Sequence, residues 1–173
     1  TAVITAKCGN VKATCTVTVK NPSLTLSKKS TTIYKGSRAT LKATVKGADA
    51  SKVTFTSSNT KVAVVNKTTG RIVAKAAGKT VITVKCGSLK ATCTVTVKNP
   101  SLTLSKTSVA VKVGKTTKIT AKAAPTGKVT FKSSNKKVAT VSSSGTIKGI
   151  RKGTAKITVT CNGVSKTVKV TVK

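Results

Sequence analysis

Five cysteines are the side chains best suited to covalent chemistry in this chain, and their spacing is regular: Cys8 with Cys15, Cys86 with Cys93, then Cys161 with Val168 where a partner would stand. A spacing of seven puts both members of a pair on one hairpin, so the turn decides whether they bond. A six-residue connection would set the sulfurs face to face at disulfide distance. A two-residue turn at Gly87-Ser88 would instead place Cys86 opposite Leu89 and Cys93 opposite Ile82, leaving the sulfurs about 13 Å apart by strand rise. In the third copy Asn162-Gly163 signals the tight turn, which pairs Cys161 with Val164. Two readings therefore stand: disulfides Cys8–Cys15 and Cys86–Cys93 with Cys161 as an unpaired buried thiol, or five small buried thiols. No CxxC motif occurs, which argues against a redox or zinc-knuckle role.

The remaining inventory is poor in reactive groups. The chain has no His, and its single acidic residue, Asp49, leaves no second carboxylate for general acid–base work or glycoside hydrolysis. Ser and Thr are plentiful, but lysines are the only available bases, and a repetitive Ser/Thr pattern is what solvent-facing strand positions supply. Calcium needs several oxygen ligands, which one Asp49 in the loop Lys46 to Lys52 does not provide. Lys-Asn cross-linking normally depends on a buried acid, and none is to spare. No catalytic, metal-binding or cofactor-binding residue is expected, and the chain is read as a non-enzyme.

The elements that carry these residues come from a repeat. Thr14 to Lys28, TCTVTVKNPSLTLSK, recurs unchanged as Thr92 to Lys106, an offset of 78 residues. A module of that size is large enough to close its own core. Three segments follow: residues 1–20 as the last hairpin of an incomplete upstream repeat, 21–98 as one repeat and 99–173 as a second. The match of Thr1 to Lys20 with Lys79 to Lys98 carries the first assignment, and with no Met present the chain is read as a piece of a longer or processed one. Such a hairpin needs its missing strands or another chain to cover its apolar face.

Within each repeat the hydrophobic period is two. Thr16-Val17-Thr18-Val19, Val81-Ile82-Thr83-Val84, Thr94-Val95-Thr96-Val97 and Lys169-Val170-Thr171-Val172 alternate polar with β-branched apolar residues, the pattern of half-buried strands. About seven such runs per repeat, separated by turn signals such as Thr69-Gly70, Ser144-Gly145 and Asn162-Gly163, predict an all-β sandwich of short antiparallel strands. The junctions Lys20-Asn21-Pro22 and Lys98-Asn99-Pro100 favour short, stiff connections and modules arranged end to end.

Charge is the other pronounced feature. Lys and Arg number 34 against one acid, a net charge of +33 on 173 residues. Lysines such as Lys112, Lys118, Lys122, Lys128 and Lys132 fall at outward positions, where they also deter edge-to-edge aggregation. A soluble surface normally mixes both signs, so the missing acids point to an anionic polymer as partner: teichoic acid, an acidic glycan or, nonspecifically, nucleic acid. Sequence-specific nucleic-acid readout is not expected. Only Tyr34, Phe55 and Phe131 are aromatic, and both Phe fall at core positions.

Two ordered motif sets carry a family resemblance. Ser57-Ser58-Asn59, Val62-Ala63-Val64-Val65, Gly70, Ile72 and Gly78 recur as Ser133-Ser134-Asn135, Val138-Ala139-Thr140-Val141, Gly145, Ile147 and Gly153. This pattern resembles the group 2 bacterial immunoglobulin-like repeat of intimin- and invasin-type stalks, with Phe55 and Phe131 where that family often has Trp. The resemblance implies tandem immunoglobulin-like β-sandwiches with a display or spacer role and carries no catalytic residues. The expectation is a noncatalytic structural or adhesion module: a cationic rod, extracellular or on a bacterial cell surface, contacting neighbouring repeats, open to self-assembly, and without membrane insertion. A phage virion component and the accessory region of a larger secreted enzyme are the alternatives. Asn66-Lys67-Thr68 fits a glycosylation sequon formally.

Overall fold

The computed structural model describes residues 1–173, which divide into a unit of residues 1–98 and a unit of residues 99–173. Nearly every element is a strand, because alternating Val/Ile and Thr/Lys suits a pleated surface with one dry face.

The first unit opens with a hairpin, β1 (Ala2–Cys8) and β2 (Val11–Val17), paired so that Ile4 faces Cys15 and Cys8 faces Val11. Nine strands follow: β3 (Ser23–Leu26), β4 (Ser30–Tyr34), β5 (Arg38–Thr40), β6 (Ala43–Lys46), β7 (Thr54–Ser57), β8 (Ala63–Val65), β9 (Arg71–Ala74), β10 (Gly78–Cys86) and β11 (Leu89–Lys98). One layer has the order β4-β11-β10-β7, with β4 parallel to β11 and the other pairs antiparallel. The other strands form the ladders β5-β9-β8 and β3-β6.

The second unit repeats this plan with β12 (Ser101–Leu104), β13 (Ser108–Val111), β14 (Thr116–Lys118), β15 (Ala121–Ala124), β16 (Thr130–Ser133), β17 (Ala139–Val141), β18 (Thr146–Gly149), β19 (Gly153–Cys161) and β20 (Val164–Val172). Its order is β13-β20-β19-β16 in one layer, with ladders β14-β18-β17 and β12-β15. The strands number nine per repeat rather than about seven because two runs break. The first run leaves the β6 ladder after Leu26 and rejoins the opposite layer as β4. The second is interrupted at Leu41, whose amide donates to Gly70 O at 3.0 Å; Ile119 donates to Gly145 O in the same way at 3.0 Å.

Each unit has its own core. Ile33, Leu41, Phe55, Ile72, Ile82, Val84 and Val95 anchor the first, and Leu102, Ile119, Ile147, Ile157, Val159, Val168 and Val170 the second. Phe55 is buried, whereas Phe131 packs against its core half-buried. The hairpin β1–β2 reproduces the register of β10–β11, yet all of its residues are exposed: Ile4 is 60 % exposed, whereas its counterpart Ile82 is 0 % exposed. The same sequence pattern is thus dry in one place and wet in another.

Gly145 illustrates why the turn residues are fixed. It has φ +82°, and a Cβ there would run into the Ile119 carbonyl oxygen and press on the Phe131 ring at 3.1 Å. Only glycine fits both the left-handed backbone and the close approach.

Candidate functional site

The first serine and the asparagine of the Ser-Ser-Asn motif are consumed in holding the fold in both repeats. Ser133 Oγ donates to Ala139 O at 2.7 Å and accepts from the Asn135 amide at 3.2 Å, while Asn135 Oδ1 accepts from the Lys137 amide at 3.0 Å. The first unit repeats these contacts: Ser57 Oγ donates to Ala63 O at 2.7 Å, and Asn59 Oδ1 accepts from the Lys61 amide at 3.0 Å. It adds Thr80, whose hydroxyl lies 3.0 Å from Ser57 Oγ and 3.1 Å from Ser58 Oγ and accepts from the Asn59 amide. Ala155 takes the place of Thr80 in the second unit and removes that hub. These bonds satisfy backbone groups where a strand turns over the sheet edge, a structural duty rather than a catalytic one.

The other chemistry-bearing residues are similarly occupied. Asp49 accepts from the Ser51 amide at 2.9 Å and the Ser51 hydroxyl at 2.6 Å, capping the 3₁₀ turn Ala50–Lys52. Those two bonds hold its carboxyl below the usual carboxylate range. Asn66 Oδ1 accepts from the Thr68 amide, the Thr68 hydroxyl and the Thr69 amide at 2.8–3.1 Å, so its amide shapes the β8–β9 turn. No group of three His, Cys, Asp or Glu side chains converges on one point. No helix is long and apolar enough to cross a membrane.

The cysteines take the tight-turn geometry. Cys86 pairs with Leu89, Cys93 with Ile82, Cys161 with Val164, and in the first hairpin Cys8 with Val11 and Cys15 with Ile4. All five are free thiols. The reading with bridges Cys8–Cys15 and Cys86–Cys93 is corrected accordingly, because a two-residue turn slides the sulfurs apart along the strands. The five-buried-thiol reading also needs correction at its first pair: Cys86, Cys93 and Cys161 are buried, whereas Cys8 and Cys15 are exposed, since nothing covers their hairpin. Burial pushes the Cys93 thiol up, with a smaller opposing pull from Lys28.

The outer faces of the long hairpins are rich in lysine and threonine. On the outer face of β10–β11, Thr83 lies opposite Thr92 and Lys85 opposite Lys90; on β19–β20, Thr158 lies opposite Thr167 and Lys156 opposite Lys169. Lys112, Lys118, Lys122, Lys128 and Lys132 are exposed, Lys118, Lys122 and Lys132 at outward strand positions and Lys112 and Lys128 between strands. The sequence reading of single lysines missed these cross-strand lysine pairs, because opposition depends on register and register on turn length.

No curated protein matches the chain. Among solved structures it is similar to the S-layer protein rSbsC(31-844), at 26 % identity over 88 % of this chain with a TM-score of 0.49, and it spans 28 % of that chain. It is also similar to domains 4 and 5 of the S-layer protein SbsC, at 26 % identity over 90 % of this chain and 99 % of that one with a TM-score of 0.46. The I9–I11 tandem from titin shares 13 % identity over 99 % of this chain and 73 % of that one, with a TM-score of 0.47. A family model matches twice, over residues 20–97 and again over 98–172, which is nearly the whole length. With its motif residues placed on repeated strands and its two separate cores, the chain belongs to the family of bacterial immunoglobulin-like domains of group 2.

Proposed function

We propose that this chain is a noncatalytic structural and adhesion module of the extracellular space or bacterial cell surface, whose tandem repeats space a partner and present a cationic exterior to an anionic polymer. One observation carries the reading: 34 basic residues stand against a single acidic side chain, Asp49. Internal neutralisation is therefore not available to the lysine-bearing faces, and an external polyanion would supply it. Many weak contacts on repeated modules would sum by multivalency. In this proposal residues 21–98 and 99–173 are the two repeats, and residues 1–20 are the closing hairpin of a further one.

The test is titration of the full chain with a glycerol phosphate polymer and with heparin, between about 50 and 200 mM salt. Counterion release makes log K fall linearly with log salt. A steep negative slope is expected; affinity indifferent to salt, or no binding at the low end, refutes the proposal.

A further inference from the structure

The second repeat carries a cross-strand lysine pair at a position where the first repeat, whose own pair is Lys85 with Lys90, has none. Lys156 on β19 and Lys169 on β20 lie directly opposite each other in the antiparallel register, both exposed, between the buried pairs Ala155–Val170 and Ile157–Val168. Like charges placed directly across a sheet destabilise it. Their backbones are pinned from both flanks. Lys156 donates its amide to Ser134 Oγ at 2.9 Å and accepts from the Ser134 amide at 2.9 Å, and the Lys169 amide donates to Thr107 O at 2.9 Å. Ser134 and Thr107 thus form two walls, and with Thr154 and Thr167 they line a shallow, open depression of about 350 Å³ around the two lysines.

The corresponding place in the first repeat is an internal control. Val81 donates to Ser58 Oγ at 2.9 Å, Thr94 donates to Lys29 O at 3.0 Å, and Val81 lies opposite Thr94. The backbone hydrogen bonds are the same, yet valine and threonine stand where the second repeat has its lysine pair, and the strap residue is Lys29 where the second repeat has Thr107. The scaffold does not require lysine there. The only side-chain carboxylate of the chain, Asp49, belongs to the other unit, so no acidic side chain of the second unit neutralises the pair.

We infer that Lys156 and Lys169, with the hydroxyls of Thr107, Ser134, Thr154 and Thr167, form a binding site for the ester oxyanion, phosphodiester or sulfate ester, of a polymer that lacks nucleobases. This rests on the cationic reading proposed above and gives it an address. Two ammonium groups supply charge, and four hydroxyls supply short donors to a tetrahedral group with exposed non-bridging oxygens. Base stacking is not provided for: the second unit's one aromatic residue, Phe131, packs against the core and is not among the lining residues.

The test compares the full chain with K156V/K169T, which installs the side chains the first repeat already holds in this scaffold, and with K122T/K128T, which removes the same charge from exposed positions elsewhere in the unit. A glycerol phosphate oligomer, a heparin-type sulfated oligosaccharide and single-stranded DNA are the probes. K156V/K169T is expected to lose about tenfold in affinity for one of the first two and about one unit of salt slope, while K122T/K128T stays within about threefold. The probe more affected identifies the phosphodiester or the sulfate ester as the source. Amide shifts centred on Lys156 and Lys169 on adding that probe are the second expected readout. Equal losses in both variants, or shifts scattered over the unit, overturn the site but leave the general cationic reading standing. Failure of the wild-type chain to bind any probe overturns both. Binding of DNA alone overturns the ligand class.

Discussion

Ile82 and Ile4 occupy the same position in twin hairpins, opposite Cys93 and Cys15 respectively, and differ in burial: 0 % against 60 % exposed. Replacing Ile82 with Ala removes its buried side chain from a core that includes Val84, Val95 and Phe55. Losing transfer energy and leaving a cavity costs about 2–5 kcal/mol at such a position. For a unit of this size each kcal/mol lowers Tm by about 4–8 °C, so a mid-range loss of about 3 kcal/mol is about 12–24 °C. Ile4→Ala removes groups already mostly in water and is expected to stay within about 0.5 kcal/mol. Hydrogen exchange at the Val84 and Val95 amides, which belong to the buried layer of the same unit, gives the local opening free energy for each variant. I82A should accelerate exchange there, I4A should not. If I4A destabilises the unit as much as I82A, the contrast in burial on which this reasoning rests is wrong.

Three further outcomes are expected. Gly145→Ala forces a side chain into left-handed backbone and against the Ile119 carbonyl and the Phe131 ring, and should cost about 1–3 kcal/mol, measurable as an early thermal transition of the second unit. Thiol labelling with a coloured disulfide reagent should modify Cys8 and Cys15 at once, and Cys86, Cys93 and Cys161 only after denaturation; five equally fast thiols would contradict the observed burial. The sign of the pH effect follows from Cys93. Its folded value is raised by burial, so its contribution is fully present below the unfolded thiol value and is lost as pH rises through the folded one. Alkaline weakening of the first unit should therefore be smaller in Cys93→Val.

Much of the architecture is legible without coordinates because a period of two and an exact repeat are local properties of the chain. Thr94 to Val97 can only be half-buried strand, and the motif glycines mark where a turn demands positive φ, as Gly145 does. The all-β class, the tandem organisation and the group 2 immunoglobulin-like resemblance follow from such features, as does the poverty in reactive groups, since composition fixes that outright. Less accessible is anything that depends on which residues meet across strands. Sequence left the turn at Gly87-Ser88 with two geometries, and the register settled on the one that keeps Cys86 and Cys93 apart.

Tertiary structure alone decided the rest. The first serine of the Ser-Ser-Asn triplet looks equally suited to binding or to bracing until Ala139 O and Ala63 O are found 2.7 Å from it. Twin hairpins with the same alternation diverge completely in burial, because dryness is conferred by the opposing layer and not by the strand itself. Lys156 and Lys169 are thirteen positions apart in the chain; only a two-residue turn and an unbroken ladder make them neighbours. Alternation along a strand is written in one dimension, whereas opposition across a sheet requires the chain to have folded back on itself.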